Sequence, residues 1–139
     1  MLDTNMLIGS TFVAGTEAPD VVVNPKTEEA ITSLPDASPA QIDAAVMAAD
    51  KAFQTWSRTT PAERAGLLLK LADAIDRDAE GFATVEALNC GKPRIRVLQD
   101  EMPAVSDCFR FFAGAVRTMH GAVAGEYLAG HTSMIRRDP

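Results

Sequence analysis

Two adjacent carboxylates, Asp100 and Glu101, stand shortly before Pro103 and have the chemistry to bind a cationic ligand. Opposite unit charges about 4 Å apart gain about 4 kcal/mol at an effective dielectric constant near 20. Because neighbours on a helix lie about 100° apart, only one of the two side chains can face inward. The same pair also suits a solvated helix start, where the helix dipole favours acidic residues. Both interpretations remain open on the residues themselves.

The cysteines, Cys90 and Cys108, are the candidate nucleophiles. They stand 18 positions apart without a Cys-x-x-Cys pair, which argues against a zinc ribbon or a disulfide framework. Cys90 falls at a predicted helix end beside Gly91 with no histidine nearby in sequence. Cys108 falls within a helix, where a free thiol usually behaves as a small apolar residue. We therefore predict that neither cysteine is catalytic, and we expect a reducing cytoplasm as the compartment.

Metal and nucleotide motifs are missing from the sequence. His120 and His131 stand eleven residues apart with no third ligand at metal spacing, so no metal site is predicted. Neither G-x-G-x-x-G nor a P-loop occurs, so no cofactor-binding residue is predicted in this chain. The net charge of −6 argues against a nucleic-acid partner, which needs a basic surface. No apolar run reaches about 18 residues, so no membrane span is predicted.

Four short strands, forming two hairpins, are predicted before any helix. In the first hairpin, Met6–Ile8 and Thr11–Val13 flank Gly9 and Ser10 as a two-residue turn. In the second, Val21–Val23 and Ala30–Thr32 enclose a polar turn. The chain therefore opens with β structure.

Helix starts are marked twice by the same device. Ser38 and Gln41 form a predicted capping box around Pro39, and Thr60 and Glu63 repeat the pattern. Apolar residues then recur at three- and four-residue steps on both helices. The first stripe comprises Ile42, Ala45, Val46, Ala49, Phe53 and Trp56, and the second buried face comprises Leu68, Leu71, Ala72 and Ile75.

Two further helices are predicted. A short one runs from about Ala79 to Leu88 and is closed by Gly91 in a left-handed conformation. A longer one runs from about Arg94 to Met119, with a kink or a fresh start near Met102 because Pro103 removes a backbone donor. Its predicted apolar stripe comprises Val105, Phe109, Phe112, Val116 and Met119.

Several segments resemble, in order and spacing, the amino-terminal portion of the aldehyde dehydrogenase superfamily. They are Asn24–Glu29, Asn89–Pro93 and Phe109–Gly114, and the resemblance covers essentially all 139 residues. Gly125–Leu128 and Gly130–Pro139 most resemble the branch that oxidises γ-aminobutyraldehyde and betaine aldehyde. Full-length members are several times longer, and the chain stops on what reads as a strand just beginning, so we expect an N-terminal fragment.

The resemblance implies an α/β fold, in which N-terminal β hairpins and helices form an incomplete part of an NAD-binding, Rossmann-like domain. Residues 1–130 would belong to that domain, and residues 131–139 would start the oligomerisation strand. It also implies a cytoplasmic, dimeric or tetrameric enzyme that oxidises a small aldehyde to the acid with NAD or NADP. The family's nucleophile, general base and main cofactor contacts fall outside the matched residues, so the fragment is expected to be inactive alone.

The resemblance also places Asp100, Glu101 and Ala104 on the element that lines the substrate entrance tunnel. A carboxylate there would attract the amino or trimethylammonium end of a substrate, and Ala104, one turn on, would leave that wall uncrowded. These three are the candidate substrate-binding residues. The alternative function is a stand-alone, non-catalytic interaction module of the same ancestry, which would pair its terminal strand with another chain.

Overall fold

The structure is a computed structural model, and it describes residues 4–118 and 129–131. Two strand pairs precede the helices, which confirms the expected mixed α/β fold. The elements in chain order are β1 (Met6–Ile8), β2 (Thr11–Val13), β3 (Pro19–Val23), β4 (Ala30–Pro35), α1 (Pro39–Trp56), α2 (Pro61–Arg77), α3 (Ala79–Cys90), α4 (Arg94–Arg96), a π-helical turn (Val97–Glu101) and α5 (Met102–Ala115). Predictions that concern Met119, His120 and the terminal strand at residues 132–139 lie outside the described residues.

Both hairpins are antiparallel and form separate two-stranded sheets. In the first, Met6 lies opposite Val13 and Gly9 has a φ of 62°, which is the conformation expected of glycine in this turn. In the second, the register shifts between Val22 and Val23. The predicted strands are thus confirmed, and β3 and β4 extend beyond the apolar residues from which they were predicted.

The caps predicted for α1 and α2 are both present. The Gln41 side chain accepts a hydrogen bond from the Ser38 N–H at 3.0 Å, and the Ser38 hydroxyl accepts one from the Gln41 N–H. At α2, the Glu63 carboxylate accepts from the Thr60 N–H at 2.7 Å. The Gln41 side-chain amide also donates to the Ala14 carbonyl at 2.8 Å, which ties the start of α1 to the segment after the first hairpin.

The core lies where α2, α3, the π-helical turn and α5 meet. Its buried cluster comprises Ile75, Ala83, Val97 and Met102. The most extensive helix contact joins α2 to α5. Small side chains are buried on both of these helices, namely Ala65, Ala72, Ser106 and Ala113. Small residues let the two helix axes approach closely, because little side-chain volume separates the backbones.

The observed packing of α2 against α5 differs from the buried faces that were predicted for these two helices. Leu71 was expected to be buried with Ala72 but is exposed. On α5, Val105 and Phe112 of the predicted stripe are also exposed, because Met102, Ser106 and Ala113 occupy the buried positions. The helix ends at Ala115, short of the predicted Met119.

The apolar stripe of α1 exists, but no residue of this helix is buried. Ile42 and Val46 are each more than half exposed, and Trp56 remains partly open beside the Arg64 guanidinium, 5.5 Å from the ring centre. The apolar side chains of α1 are thus largely open to solvent. Among the described residues, no helix combines the length and the apolar character needed to cross a membrane.

Candidate functional site

A π-helical turn carries the two candidate carboxylates. The Met102 N–H donates to the Val97 carbonyl, five residues back, instead of four. Pro103 follows at once and has no N–H, so the ordinary helical bond at that position cannot form. The predicted fresh start at Met102 is therefore confirmed, and it takes the form of one wider turn, a feature frequent at functional sites.

The Glu101 carboxylate is held by a lysine that also binds a second carboxylate. Lys92 Nζ lies 3.0 Å from a Glu101 oxygen and 3.0 Å from a Glu86 oxygen. Glu86 belongs to α3 and Glu101 to the π-helical turn, so Lys92 bridges two elements. We call these three side chains the lysine bridge.

The lysine bridge shifts the ionisation of its members and of a neighbouring thiol. The hydrogen bonds that Lys92 donates to Glu101 and then to Glu86 raise the pKa of Lys92 above its ordinary value. Hydrogen bonds from Lys92 and then the Cys90 thiol lower the pKa of Glu86. The Glu86 carboxylate in turn raises the pKa of Cys90, which keeps this thiol protonated and weakly nucleophilic.

Glu101 and Glu86 line an open cleft of about 480 Å³, which we call the apolar cleft. Its remaining lining is apolar and comes from α2, α3, the π-helical turn and α5. These residues are Leu71, Ile75, Phe82, Val85, Val97, Met102 and Val105. Glu101 is thus the member of the acidic pair that faces a concave surface.

Asp100 and Ala104 do not line this cleft. The Asp100 side chain is 58% exposed and pairs with Arg96, with 3.3 Å between the carboxylate oxygen and Nη1. Ala104 is also exposed. The structure therefore separates Asp100 and Ala104 from Glu101, and the three predicted residues do not form one wall within the described part of the chain.

Both cysteines are free and exposed. Cys90 ends α3 as predicted, and Cys108 lies within α5, on a side of that helix that faces solvent. His131 is exposed, with Nδ1 3.2 Å from the Ala129 carbonyl oxygen. Within residues 4–118 and 129–131, no group of three or more His, Cys, Asp or Glu side chains is placed to hold a metal ion.

The starts of α1, α2 and α3 carry groups that disfavour an anion. A helix N-terminus binds phosphate through free N–H groups. At α1 and α2 the capping boxes already bond the N–H groups of the N-cap residue and of the third helical residue, and the Glu63 carboxylate at α2 would repel an anion. At α3, Asp78 and Glu80 place two further acidic residues at the start.

Sequence reasoning did not find the lysine bridge. Gly91, with a φ of 70°, ends α3 and reverses the chain so that Lys92 returns to Glu86. The sequence predicted that Gly91 ends the helix, and from that helix end the contact between Lys92 and Glu86 could have been predicted. The second contact, to Glu101, depends on the π-helical turn.

The chain is similar in sequence and in fold to known proteins. The sequence model of the aldehyde dehydrogenase family matches residues 12–139. An aldehyde dehydrogenase of Alternaria alternata is 36% identical over 138 residues, which cover 98% of this chain and 28% of that protein. The crystal structure of PnpE from Pseudomonas sp. WBC-3 has a TM-score of 0.91 at 35% identity, over 99% of this chain and 28% of PnpE. An NAD+ complex of Bacillus cereus aldehyde dehydrogenase has a TM-score of 0.82 at 36% identity, over 88% and 26% of the two chains. The chain spans little more than a quarter of these relatives.

Proposed function

Because the chain belongs to the aldehyde dehydrogenase family, we propose that it forms the N-terminal part of an enzyme that oxidises a small aldehyde to the carboxylic acid with NAD or NADP. Support comes from the match over residues 12–139 and from an N-terminal fold shared with PnpE at a TM-score of 0.91. The nicotinamide cofactor would accept the hydride, and its contacts, the nucleophile and the general base are proposed to lie outside this chain.

The proposed substrates are aldehydes with an amino or trimethylammonium group, and the exposed carboxylate of Asp100 is the observation that carries this proposal. Its partner, Arg96, is 72% exposed, and such surface pairs are weak, so a desolvated cation would compete well. Glu101 is engaged by Lys92, and a substrate would have to displace that lysine. Asp100 is therefore our first candidate for the cationic end, with Ala104 leaving room one turn on and Glu101 adding negative potential.

The remaining parts of the proposal concern assembly and location. Residues 1–130 would belong to the NAD-binding domain, and residues 131–139 would open the strand that reaches a neighbouring subunit. The whole enzyme would be a dimer or tetramer in the cytoplasm. Sedimentation analysis of the whole enzyme tests the oligomeric part, and a monomer would contradict it.

A pair of matched substrates tests the role of Asp100 in the whole enzyme. Asp100→Asn should lower kcat/KM for γ-aminobutyraldehyde about ten- to a hundredfold, since the tunnel of the whole enzyme would desolvate this contact and its loss would then cost about 1.5–3 kcal/mol. Butyraldehyde has no charge and should be nearly unaffected. Glu101→Gln is the matched variant and should have the smaller effect. Equal losses on both substrates in both variants would show that the acidic pair only caps a solvated helix start.

The isolated chain should not oxidise aldehydes. Incubation with NAD and γ-aminobutyraldehyde, followed by absorbance of the reduced cofactor, measures this directly. The matched control carries Cys90→Ser and Cys108→Ser, which remove both thiols. Turnover that persists in this double variant would refute the assignment of the catalytic groups to other parts of the enzyme.

A further inference from the structure

Within the described helices, the π-helical turn deprives two backbone carbonyl groups of their ordinary helical donors. In an α-helix the carbonyl of one residue accepts from the N–H four positions on. The Met102 N–H, which would serve Leu98, donates to Val97 instead. The donor for Gln99 would be the N–H of residue 103, which is a proline and has none. Both carbonyl oxygens therefore keep the capacity to accept a hydrogen bond from another group.

The Gln99 carbonyl belongs to the face of the turn that carries the Asp100 carboxylate. The exposed residues of this face are Gln99, Asp100, Pro103 and Ala104. A helical carbonyl points along the helix axis, so the Gln99 oxygen points toward Pro103. Leu98 is half-buried, which makes its carbonyl less accessible to a ligand. An acceptor oxygen and a carboxylate thus share one outer face, to which Ala104 adds only a methyl group.

We propose that the Gln99 carbonyl and the Asp100 carboxylate together bind a primary ammonium group, so that the whole enzyme selects amino aldehydes over trimethylammonium aldehydes. The inference rests on the proposed function and narrows its substrate class. A primary ammonium has three N–H donors and can serve the carboxylate and the carbonyl at once. A trimethylammonium group has no N–H, so in a desolvated site it would leave the carbonyl unsatisfied.

The residues of this segment do not suit a quaternary ammonium group. Proteins recognise such cations with the faces of aromatic rings. None of residues 97–104 is aromatic. A site built to hydrogen-bond a substrate N–H rejects the analogue that lacks it, because the polar group of the site then stays unpaired. The turn thus offers a charge and a hydrogen-bond acceptor, which is the chemistry that recognises a primary ammonium.

Matched substrates and one proline substitution test this inference in the whole enzyme. γ-Aminobutyraldehyde and γ-trimethylammoniobutyraldehyde have the same chain length and charge, and butyraldehyde is the neutral reference. Pro103→Ala supplies the missing N–H to the Gln99 carbonyl and keeps the Asp100 side chain. It should lower kcat/KM for γ-aminobutyraldehyde at least about tenfold, the factor that corresponds to about 1.4 kcal/mol, and change it less than about twofold for γ-trimethylammoniobutyraldehyde. A purely steric preference for the smaller cation would survive this substitution.

Two further variants separate hydrogen bonding from charge and from the loss of a proline. Asp100→Asn removes the charge and should weaken both cationic substrates. Pro61→Ala removes a proline from the start of α2 and should leave all three substrates unchanged. The wild-type enzyme gives a measurement that depends on no variant. Butylammonium should inhibit it at least about tenfold more strongly than butyltrimethylammonium.

An unchanged kcat/KM for γ-aminobutyraldehyde in Pro103→Ala would overturn the inference, as would equal losses on both cationic substrates or equal inhibition by the two cations. If Asp100→Asn abolished a preference for cationic substrates over butyraldehyde while Pro103→Ala had no effect, this inference would be wrong and the proposed function would stand. No turnover of any aldehyde would contradict the proposed function and, with it, this inference.

Discussion

Lys92 Nζ lies 3.0 Å from a carboxylate oxygen of Glu101, and this ion pair joins the segment after α3 to the π-helical turn. The same nitrogen lies 3.0 Å from a carboxylate oxygen of Glu86, which belongs to α3. The lysine thus links α3 and the turn at the surface, above the buried contact between Ala83 and Val97.

Removing the bridging cation should change how Glu86 titrates. In Lys92→Met the pKa of Glu86 should rise toward its ordinary value, because Lys92 is the largest cause of its lowering. A lowered folded-state pKa contributes stability above the unfolded pKa, and this is lost as pH falls through the folded value. The variant should therefore lose less stability on acidification. NMR titration of the side-chain carboxyl measures the shift, with Lys51→Met on α1 as the control. An unchanged Glu86 titration in Lys92→Met would contradict the bridge.

Acid should also weaken the contact between α2 and α5 through Asp76. Arg110 of α5 donates to Asp76 at 2.7 Å and to Asp73 at 2.9 Å. The pKa of Asp76 is lowered first by the nearby Ser106 hydroxyl and second by the Arg110 guanidinium.

This lowering means that ionised Asp76 stabilises the fold above its unfolded pKa and that the contribution disappears as pH falls through the folded value. Asp76→Asn should therefore lower the urea midpoint near neutral pH and flatten its decline toward about pH 3. Asp107→Asn, on the exposed side of α5, is the control for losing a carboxylate. Identical acid profiles for the wild type and Asp76→Asn would rule out this contribution.

Two glycines offer a matched test of backbone conformation. Gly91 has a φ of 70°, and a Cβ there would lie 3.0 Å from Pro25 Cγ, so Gly91→Ala should cost about 1–2 kcal/mol or more. Gly66 lies inside α2, and a Cβ there would meet no heavy atom within 4 Å. Gly66→Ala should therefore stabilise by about 0.5–1 kcal/mol. Urea unfolding measures both changes, and a neutral Gly91→Ala would contradict the left-handed helix end.

The parts of the fold that depend on neighbouring residues in sequence were predictable. Ser38 with Gln41, and Thr60 with Glu63, form their caps because each cap closes within one helical turn. The hairpin turn at Gly9 is equally local. These signals gave the element order and the helix starts.

The burial pattern of α5 was not predictable in the same way. Periodicity places Val105 and Phe112 on one stripe, but it does not say which helix lies opposite. Ser106 is buried although it is polar, because a small side chain suits the close contact with α2 and its hydroxyl finds a carbonyl acceptor within its own helix. Two faces of α5 are similarly apolar in sequence, and its packing against α2 determines which of them is buried.

The acidic pair was recognised from the sequence. Of its two members, Glu101 lines the apolar cleft and Asp100 does not. Their paired cations, Arg96 and Lys92, were missed. Lys92 reaches Glu101 because the chain changes direction at Gly91 and forms a π-helical turn before α5. Neither the Lys92–Glu101 distance nor the Lys92–Glu86 distance can be predicted from residue types. The role of Asp100, Glu101 and Ala104 in substrate binding remains a prediction.

The π-helical turn at Val97–Glu101 also means that the position of Glu101 relative to Lys92 depends on the number of residues in this segment as well as on their types. An α-helix turns about 100° per residue. If one residue were deleted there and the turn became regular α-helix, α4 and the loop before it would rotate by about that angle relative to α5. Every side chain of the lysine bridge would still be present, yet Glu101 would no longer face Lys92. Substitutions that keep the residue count can preserve this geometry, whereas a single-residue deletion removes it.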